Sequence, residues 1–536
     1  MKNSSRGILI LTMTNVLSKI LSLVYIPLLI VNIGSDGYGN YYSAYLVYTF
    51  IYMVTIAGSS SAIPKLIAEY SGSGHERDAM ASFKIGRVFL LGMGIFMTLI
   101  LIIISGVVVN YTGLENSRIA ILALAPAILI TAVSSAYRGY FQGRHNLAPL
   151  GISQFIEQVL NVVCSLFFSW WLMKYSLALG VAGGAIGTAI GALASVIYLK
   201  IKYKEDLRKR GRVKSQPRKH NDRHIFNYIW KYSVPLLVSA LILYGGNNLF
   251  DQMIITGRLS ELGYSQAQFS VMFGDFGKYT QLINLPMIII SSLALSVFPI
   301  IARENASKDK TKLNEGIAKV FKIGFMIGLP AAVTLSVLSK AIFHFIYFKV
   351  GLTGGAELMV FGGYVFIFSS IYQLSVTMLN SLGRVRAGAV TSFINVAVRL
   401  VVDFIFIGIA SINIYGAIIG LLLSNYVGMM INIKIVENHT KTKESYLNSI
   451  IKPAIAAIFM GIALAVVYFI MSEIIGMVFG ATSIPGLGGY ITNAIALVIA
   501  GYVGSIVYLK VMIKTKGMEN EDLSIFPRKL KKLFFI

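Results

Sequence analysis

Long apolar runs separated by short polar connections set the pattern of this chain. Runs of about 20 apolar residues, enough to cross ~30 Å of hydrocarbon at 1.5 Å per residue, recur along its whole length and predict about fourteen transmembrane helices. They cover 7–33, 38–61, 84–109, 117–137, 149–173, 178–200, 231–257, 277–301, 316–346, 355–380, 387–410, 413–435, 449–475 and 489–513. The first follows Lys2 and Arg6, is too long for a signal-peptide core and lacks a small-residue cleavage site, so it is expected to be retained.

The connections test that count, because Lys and Arg collect on alternate sides when the crossings are placed correctly. The basic set holds Lys65 and Arg77, Arg138 and Arg144, a stretch from Lys200 to Lys231 with twelve cations, then Arg303, Lys308, Lys310 and Lys312, Arg384 and Arg386, and Lys441 and Lys443. The opposite set holds only Lys174, Arg258, Lys278 and Lys349. Both termini fall on the basic side, and the tail adds Arg528, Lys529, Lys531 and Lys532, so both are expected in the cytoplasm of a cell membrane.

Composition agrees. Apolar residues make up 56% of the 536 and charged ones 13%, about half the ~25% of a soluble domain. Net charge is 47 − 23 = +24. A nucleic-acid binder would present its cations on a soluble face with stacking aromatics; here the cations lie between apolar runs, so anionic membrane lipids are the expected partner of the basic stretch and nucleic acid is not. The single cysteine, Cys164, excludes an internal disulfide or Cys-based zinc site.

Two patterns recur at nearly one offset. Pro64-Lys65-Leu66-Ile67-Ala68-Glu69 ends the second span, and Pro299-Ile300-Ile301-Ala302-Arg303-Glu304 ends the eighth; Gly143-Arg144 and Ser153 follow the fourth, and Gly383-Arg384 and Ser392 follow the tenth. An offset of six helices gives both copies one orientation, related by an axis along the membrane normal. The expected fold is an all-α polytopic membrane protein: two six-helix lobes in pseudo-two-fold arrangement, 1–198 and 231–436, joined by a basic linker 199–230, with two added helices in 437–513 and a tail 514–536. Such lobes give alternating access. Gly183, Gly187 and Gly191 on span six and Gly416 and Gly420 on span twelve read as close helix packing.

A charge at membrane depth costs at least ~2.5 kcal/mol, so each needs a partner or water. Lys19 stands in mid-span one with no acid within a turn; it either lines a wet pathway or meets an acid on another helix. Asn247, Asn248 and Asp251 follow Gly245-Gly246 on span seven, a polar density unfavourable against lipid, so this face is expected to line the pathway, and Asp251 is a candidate for Na⁺ or H⁺ coupling. Arg258 and Lys278 are expected at the outer interface. Arg399 and Asp403, spaced i, i+4, read first as a neutralising pair and second as a coupling site. Glu157 is either a gate that meets Arg138 or Arg144, or a solvated helix-end carboxylate. No phosphate loop, zinc-protease helix or nucleophile elbow is present, His220 and His224 read as solvated linker residues, and no enzyme, cofactor or metal site is expected. Nor is any outer connection long enough to carry a glycosyl-transfer site.

Several segments resemble the polysaccharide transporter branch of the multidrug/oligosaccharidyl-lipid/polysaccharide exporter superfamily, of the stage V sporulation protein B and lipid II flippase type. They are Ser18-Lys19-Ile20-Leu21, Ala57-Gly58 with Ala62 to Tyr70, Tyr137-Arg138-Gly139-Tyr140-Phe141-Gln142-Gly143 with Pro149 and Ser153 to Gln158, Phe250-Asp251 through Arg258-Leu259, Leu285-Pro286 through Phe298-Pro299, and Gly517 to Leu523. The resemblance implies transport of an undecaprenyl-pyrophosphate-linked glycan, lipid II or a polysaccharide repeat unit, with the pyrophosphate drawn to Lys19; a monomer is expected. Similar flippases place further arginines where Tyr25, Tyr52 and Met53 stand here uncharged, which leaves the glycan open. An ion-coupled exporter of drug-like cations is the alternative, and it would rely on Asp251.

Overall fold

A computed structural model describes residues 2–210, 217–307, 310–347, 354–441, 446–479 and 487–518. Arg212, Lys214, Lys308, Lys349, Lys443 and the tail cations from Arg528 to Lys532 lie outside the described residues. Every long described element is a helix and none is a strand, as satisfaction of backbone hydrogen bonds inside hydrocarbon requires.

Contacts divide the chain into two compact units, Met1–Gly274 and Asp275–Ile536. The first unit opens with α1 (Lys2–Ile56), about 80 Å of helix, far more than one crossing needs. At Gly34 it leaves helical geometry (φ 71°, ψ 176°), a conformation open to a residue without Cβ, and this break separates spans one and two. Then come α2 (Ser59–Gly72), α3 (Glu76–Thr112), α4 (Ser117–Gly143), α5 (Ala148–Leu172), α6 (Leu177–Arg210), α7 (Asp222–Tyr244), α8 (Asp251–Glu261) and the start of α9 (Gln266–Ala306). The second unit holds the rest of α9, α10 (Lys310–Val337), α11 (Ser339–Tyr347), α12 (Gly355–Gly362), α13 (Val365–Ser381), α14 (Val385–Ile407), α15 (Tyr415–Thr440), α16 (Ile451–Phe479) and α17 (Leu487–Lys514).

Among the described residues twelve helices are long and apolar enough to cross a membrane, or thirteen when α12 and α13, bent by 59°, count as one span. The expected fourteen is not reached as separate helices, since spans one and two run on in a single helical stretch up to Gly72.

At its basic end the first unit is tied by Ile63, Phe83, Tyr137, Tyr140, Phe141, Leu199, Ile225 and Ile229, all buried, which join α2, α3, α4, α6 and α7. Ile225 and Ile229, one turn apart, are the knobs that dock α7. Gly58 (φ 75°) caps α2 directly against Ser233 of α7, where any Cβ would be both strained and overlapping.

The basic linker begins as helix, since α6 continues to Arg210, and some of its cations have acids of their own chain. Asp78, fully buried, accepts from the backbone N–H groups of Lys219 (2.8 Å) and His220 (3.4 Å) and from Arg218 Nε (3.4 Å). Glu76 pairs with Arg144 (2.5 Å) and Arg210 (3.3 Å), and Asp206 receives the Tyr140 hydroxyl (2.6 Å) and Arg210 Nε (2.7 Å). Those cations are therefore not left to lipid alone. His220, expected to be solvated, stacks between Tyr70 (5.6 Å) and His224 (4.3 Å).

Candidate functional site

Lys19 lies on α1 before the Gly34 break, with its side chain exposed. Among the described residues no carboxylate pairs with it, and no hydrogen bond or ion pair joins it to Asn247, Asn248 or Asp251. Thr12, Asn15 and Ser22 share its face at helical spacing, Thr12 and Asn15 exposed and Ser22 half-buried, so the cation stands in a polar stripe on an otherwise apolar helix. Tyr25, further along α1, faces inward: it is buried, donates to the Gly184 carbonyl (3.0 Å) and lies 3.3 Å from the Tyr41 hydroxyl.

Span seven is interrupted at the glycine pair. Gly245–Phe250 forms a π-helix between α7 and α8, and Asn247 and Asn248 sit half-buried within it. A π-turn inserts one residue into the helical ladder and rotates the side chains that follow, a distortion frequent at functional positions. Asp251, immediately after it, is buried. Next to it Gln252 accepts from Ser43 of α1 (3.0 Å). Asn40 of α1 donates to Ser270 of α9 (3.0 Å) and to Asp36 (3.1 Å to both its carbonyl and its carboxylate), while Ser270 donates to the Asp36 carbonyl (2.8 Å). Asn40, Ser43, Gln252 and Ser270, all fully buried, form a polar junction of α1, α8 and α9 that sequence reasoning missed. No spacing could reveal it, because the partners lie more than 200 residues apart.

The two candidate ion pairs are both formed. Arg138 of α4 holds Glu157 of α5 at 2.5 Å and also donates to Ser195 of α6 (3.1 Å). One turn on, Asn161 accepts from Ser165 (3.0 Å) and Thr188 (3.3 Å). Facing this group, Tyr38, Tyr41, Tyr45, Tyr48 and Tyr52 form a column along α1, with successive ring centroids 6.3, 5.9, 5.8 and 5.9 Å apart, and its Tyr45, Tyr48 and Tyr52 lie within electrostatic range of Glu157. In the second unit Arg399 Nε lies 3.6 Å from Asp403 Oδ2 on α14, with Asp403 fully buried.

One interface expectation is corrected. Lys278 is fully buried and bonded to Asp275 (2.8 Å), because at i, i+3 the carboxylate neutralises it inside the unit; Tyr347 adds a bond to the Lys278 carbonyl (3.4 Å). Arg258 pairs with exposed Glu261, one turn on.

Residues 4–305 match the family described as polysaccharide biosynthesis protein. The chain is 23% identical over 530 residues to the lipid II flippase MurJ of Bacillus subtilis (strain 168), covering 94% of each protein. It is 25% identical over 504 residues to the stage V sporulation protein B of the same organism, covering 92% of this chain and 93% of that one. Among solved structures, the lipid II flippase MurJ in an inward closed conformation superposes with a TM-score of 0.65 at 14% identity, over 94% of this chain and 100% of that one. An inward-facing multidrug resistance MATE family transporter of the MOP superfamily superposes with a TM-score of 0.64 at 13% identity, over 80% and 96%. At such identities the structural likeness shows the fold.

Proposed function

We propose, from the premise that this chain belongs to the polysaccharide biosynthesis protein family, that it translocates a polyprenyl-pyrophosphate-linked glycan, lipid II or a polysaccharide repeat unit, across the cell membrane by alternating access. The observation that carries the reading is Lys19. An exposed cation within an apolar span costs at least ~2.5 kcal/mol against hydrocarbon unless it meets water or an anion, and among the described residues this one has no protein counter-ion. A pyrophosphate supplies that anion, and Thr12, Asn15 and Ser22 on the same face supply hydrogen bonds. Asn247 and Asn248 offer amides to the sugar, and Asp251 offers a carboxylate for Na⁺ or H⁺. The likeness to MurJ, a lipid II flippase, supports this substrate class. In this reading the repeats 1–198 and 231–436 are the moving halves, and both termini are cytoplasmic. An inside-negative potential then favours export of the anionic headgroup by about 2.3 kcal/mol per charge per 100 mV.

The test is flipping of a fluorescent polyprenyl-pyrophosphate glycan in proteoliposomes. Lys19→Ala and Lys19→Glu lose transport while the melting temperature stays unchanged, because the side chain is exposed, and Lys19→Arg retains it. Full activity of Lys19→Glu removes the assigned site. A second reading, an ion-coupled exporter of lipophilic cations, draws on the MATE likeness and on buried Asp251. Binding of such cations, lost in Asp251→Asn, without binding of the lipid pyrophosphate would replace the first reading by the second.

A further inference from the structure

On the outer face of the first unit, α3 and α7 leave a groove of about 490 Å³ lined by Lys84, Ile85, Val88, Phe89, Gly92 and Met93 of α3 and by Phe226 and Trp230 of α7. Both helices start at the same end, since the residues just before α7 are held by Asp78 near the start of α3. From Lys84 to Met93 the groove runs about 14 Å along α3 at 1.5 Å per residue. Its wall at Gly92 is open, with no heavy atom within 4 Å of the place a Cβ would take. Trp230 stacks on Phe226 (6.4 Å) and meets the edge of Phe89 (6.2 Å), so these rings form a stiff aromatic side.

The charge is all at one end. Residues 88–109 carry no ionisable group, Lys84 is the exposed cation at the mouth, and Arg223 stands two turns before Trp230 on the same face of α7. Among the described residues Lys84 has no ion-pair partner, whereas neighbouring Arg87 is engaged with the Tyr137 hydroxyl (3.3 Å) and the Phe83 ring. A lysine and a tryptophan at the limit of an uncharged run mark the level of the lipid headgroups. We propose that this groove seats one acyl chain of an anionic phospholipid, with its phosphate held by Lys84. The lipid would brace α7, the helix that leads into the π-turn, against α3. This site is independent of the transported substrate.

The chain has three tryptophans, so Trp170→Phe/Trp171→Phe leaves Trp230 as the sole indole emitter in the full-length protein. In bilayers doped with dibrominated phosphatidylglycerol or dibrominated phosphatidylcholine, the anionic lipid quenches Trp230 with about five-fold preference, the value of one surface-level cation. Lys84→Gln brings the preference to unity, and Gly92→Phe, filling the open wall, reduces quenching by both lipids with the melting temperature retained. Equal quenching by the two lipids in the unsubstituted groove, or a preference that survives Lys84→Gln, overturns the proposal. So does displacement of the brominated phosphatidylglycerol by undecaprenyl phosphate at lower mole fraction, which would give the groove to the carrier lipid instead.

Discussion

The α5–α6 pair of the first unit and the α14–α15 pair of the second solve one packing problem in two ways. On α5, Glu157, Asn161 and Ser165 recur every fourth residue and lie against Gly191 and Gly187 of α6. On α14, Asn395, Arg399 and Asp403 recur at the same interval, with Asn395 against Gly428 and Asp403 against Gly420 of α15. In both, glycines let a polar helix face approach the backbone of the next helix. They differ in where the acid finds its cation. Glu157 takes Arg138 from α4, and the side chains keep 24% and 15% exposure, so the bond ties a third helix into the pair. Asp403 takes Arg399 from its own helix, with 0% and 11% exposure, so that bond neutralises a buried charge without adding an inter-helix tie. One scaffold therefore supports either an assembly contact or a local cancellation of charge.

The largest effect expected from this contrast is on the drier pair. Asp403→Asn removes the counter-ion of a nearly buried guanidinium and should destabilise by about 3–5 kcal/mol, read as a lowered melting temperature in detergent, while Arg399→Met/Asp403→Leu should recover most of it. A double variant as unstable as the single one would mean that the pair does more than cancel charge.

An intermediate effect is expected at the glycines. Gly420→Ala and Gly187→Ala each overpack a helix contact at about 1–3 kcal/mol. Gly187→Ala should be the worse of the two, because its Cβ would overlap the Asn161 carbonyl oxygen and stand 2.5 Å from the Ser165 backbone nitrogen, which can yield only if the helices part, whereas Gly420→Ala meets only the Asp403 side chain, which can turn. Equal melting temperatures would mean that the Asp403 carboxylate is held as firmly as the α5 backbone.

The smallest effect is expected from Glu157→Gln, about 1 kcal/mol or less, since Arg138 keeps Ser195 and access to water. Its sharper readout is a wider spin-label distance between α4 and α5; an unchanged distance would remove the tie from the comparison.

Much of this was legible in sequence. The i, i+4 spacing of Arg399 and Asp403 announced their pairing, and the small-residue stripes announced close packing. Glu157 and Arg138 were legible as candidates, but their partnership depended on how α4 and α5 lie together. Lys278 was misplaced at the interface although Asp275 stood three residues before it, because the expectation weighed position in a loop above helical spacing. The junction of Asn40, Ser43, Gln252 and Ser270 left no trace, since each residue alone looks like an ordinary polar insertion.

Transfer of a side chain from water to hydrocarbon is nearly additive along the chain, so the sequence by itself determined that this is a helical membrane protein of many spans. The cost of a buried polar group depends instead on what stands about 3 Å away, and only the tertiary structure decided that Lys19 is exposed, that Glu157 meets Arg138, and that Gln252 and Asn40 find α1 and α9 neighbours.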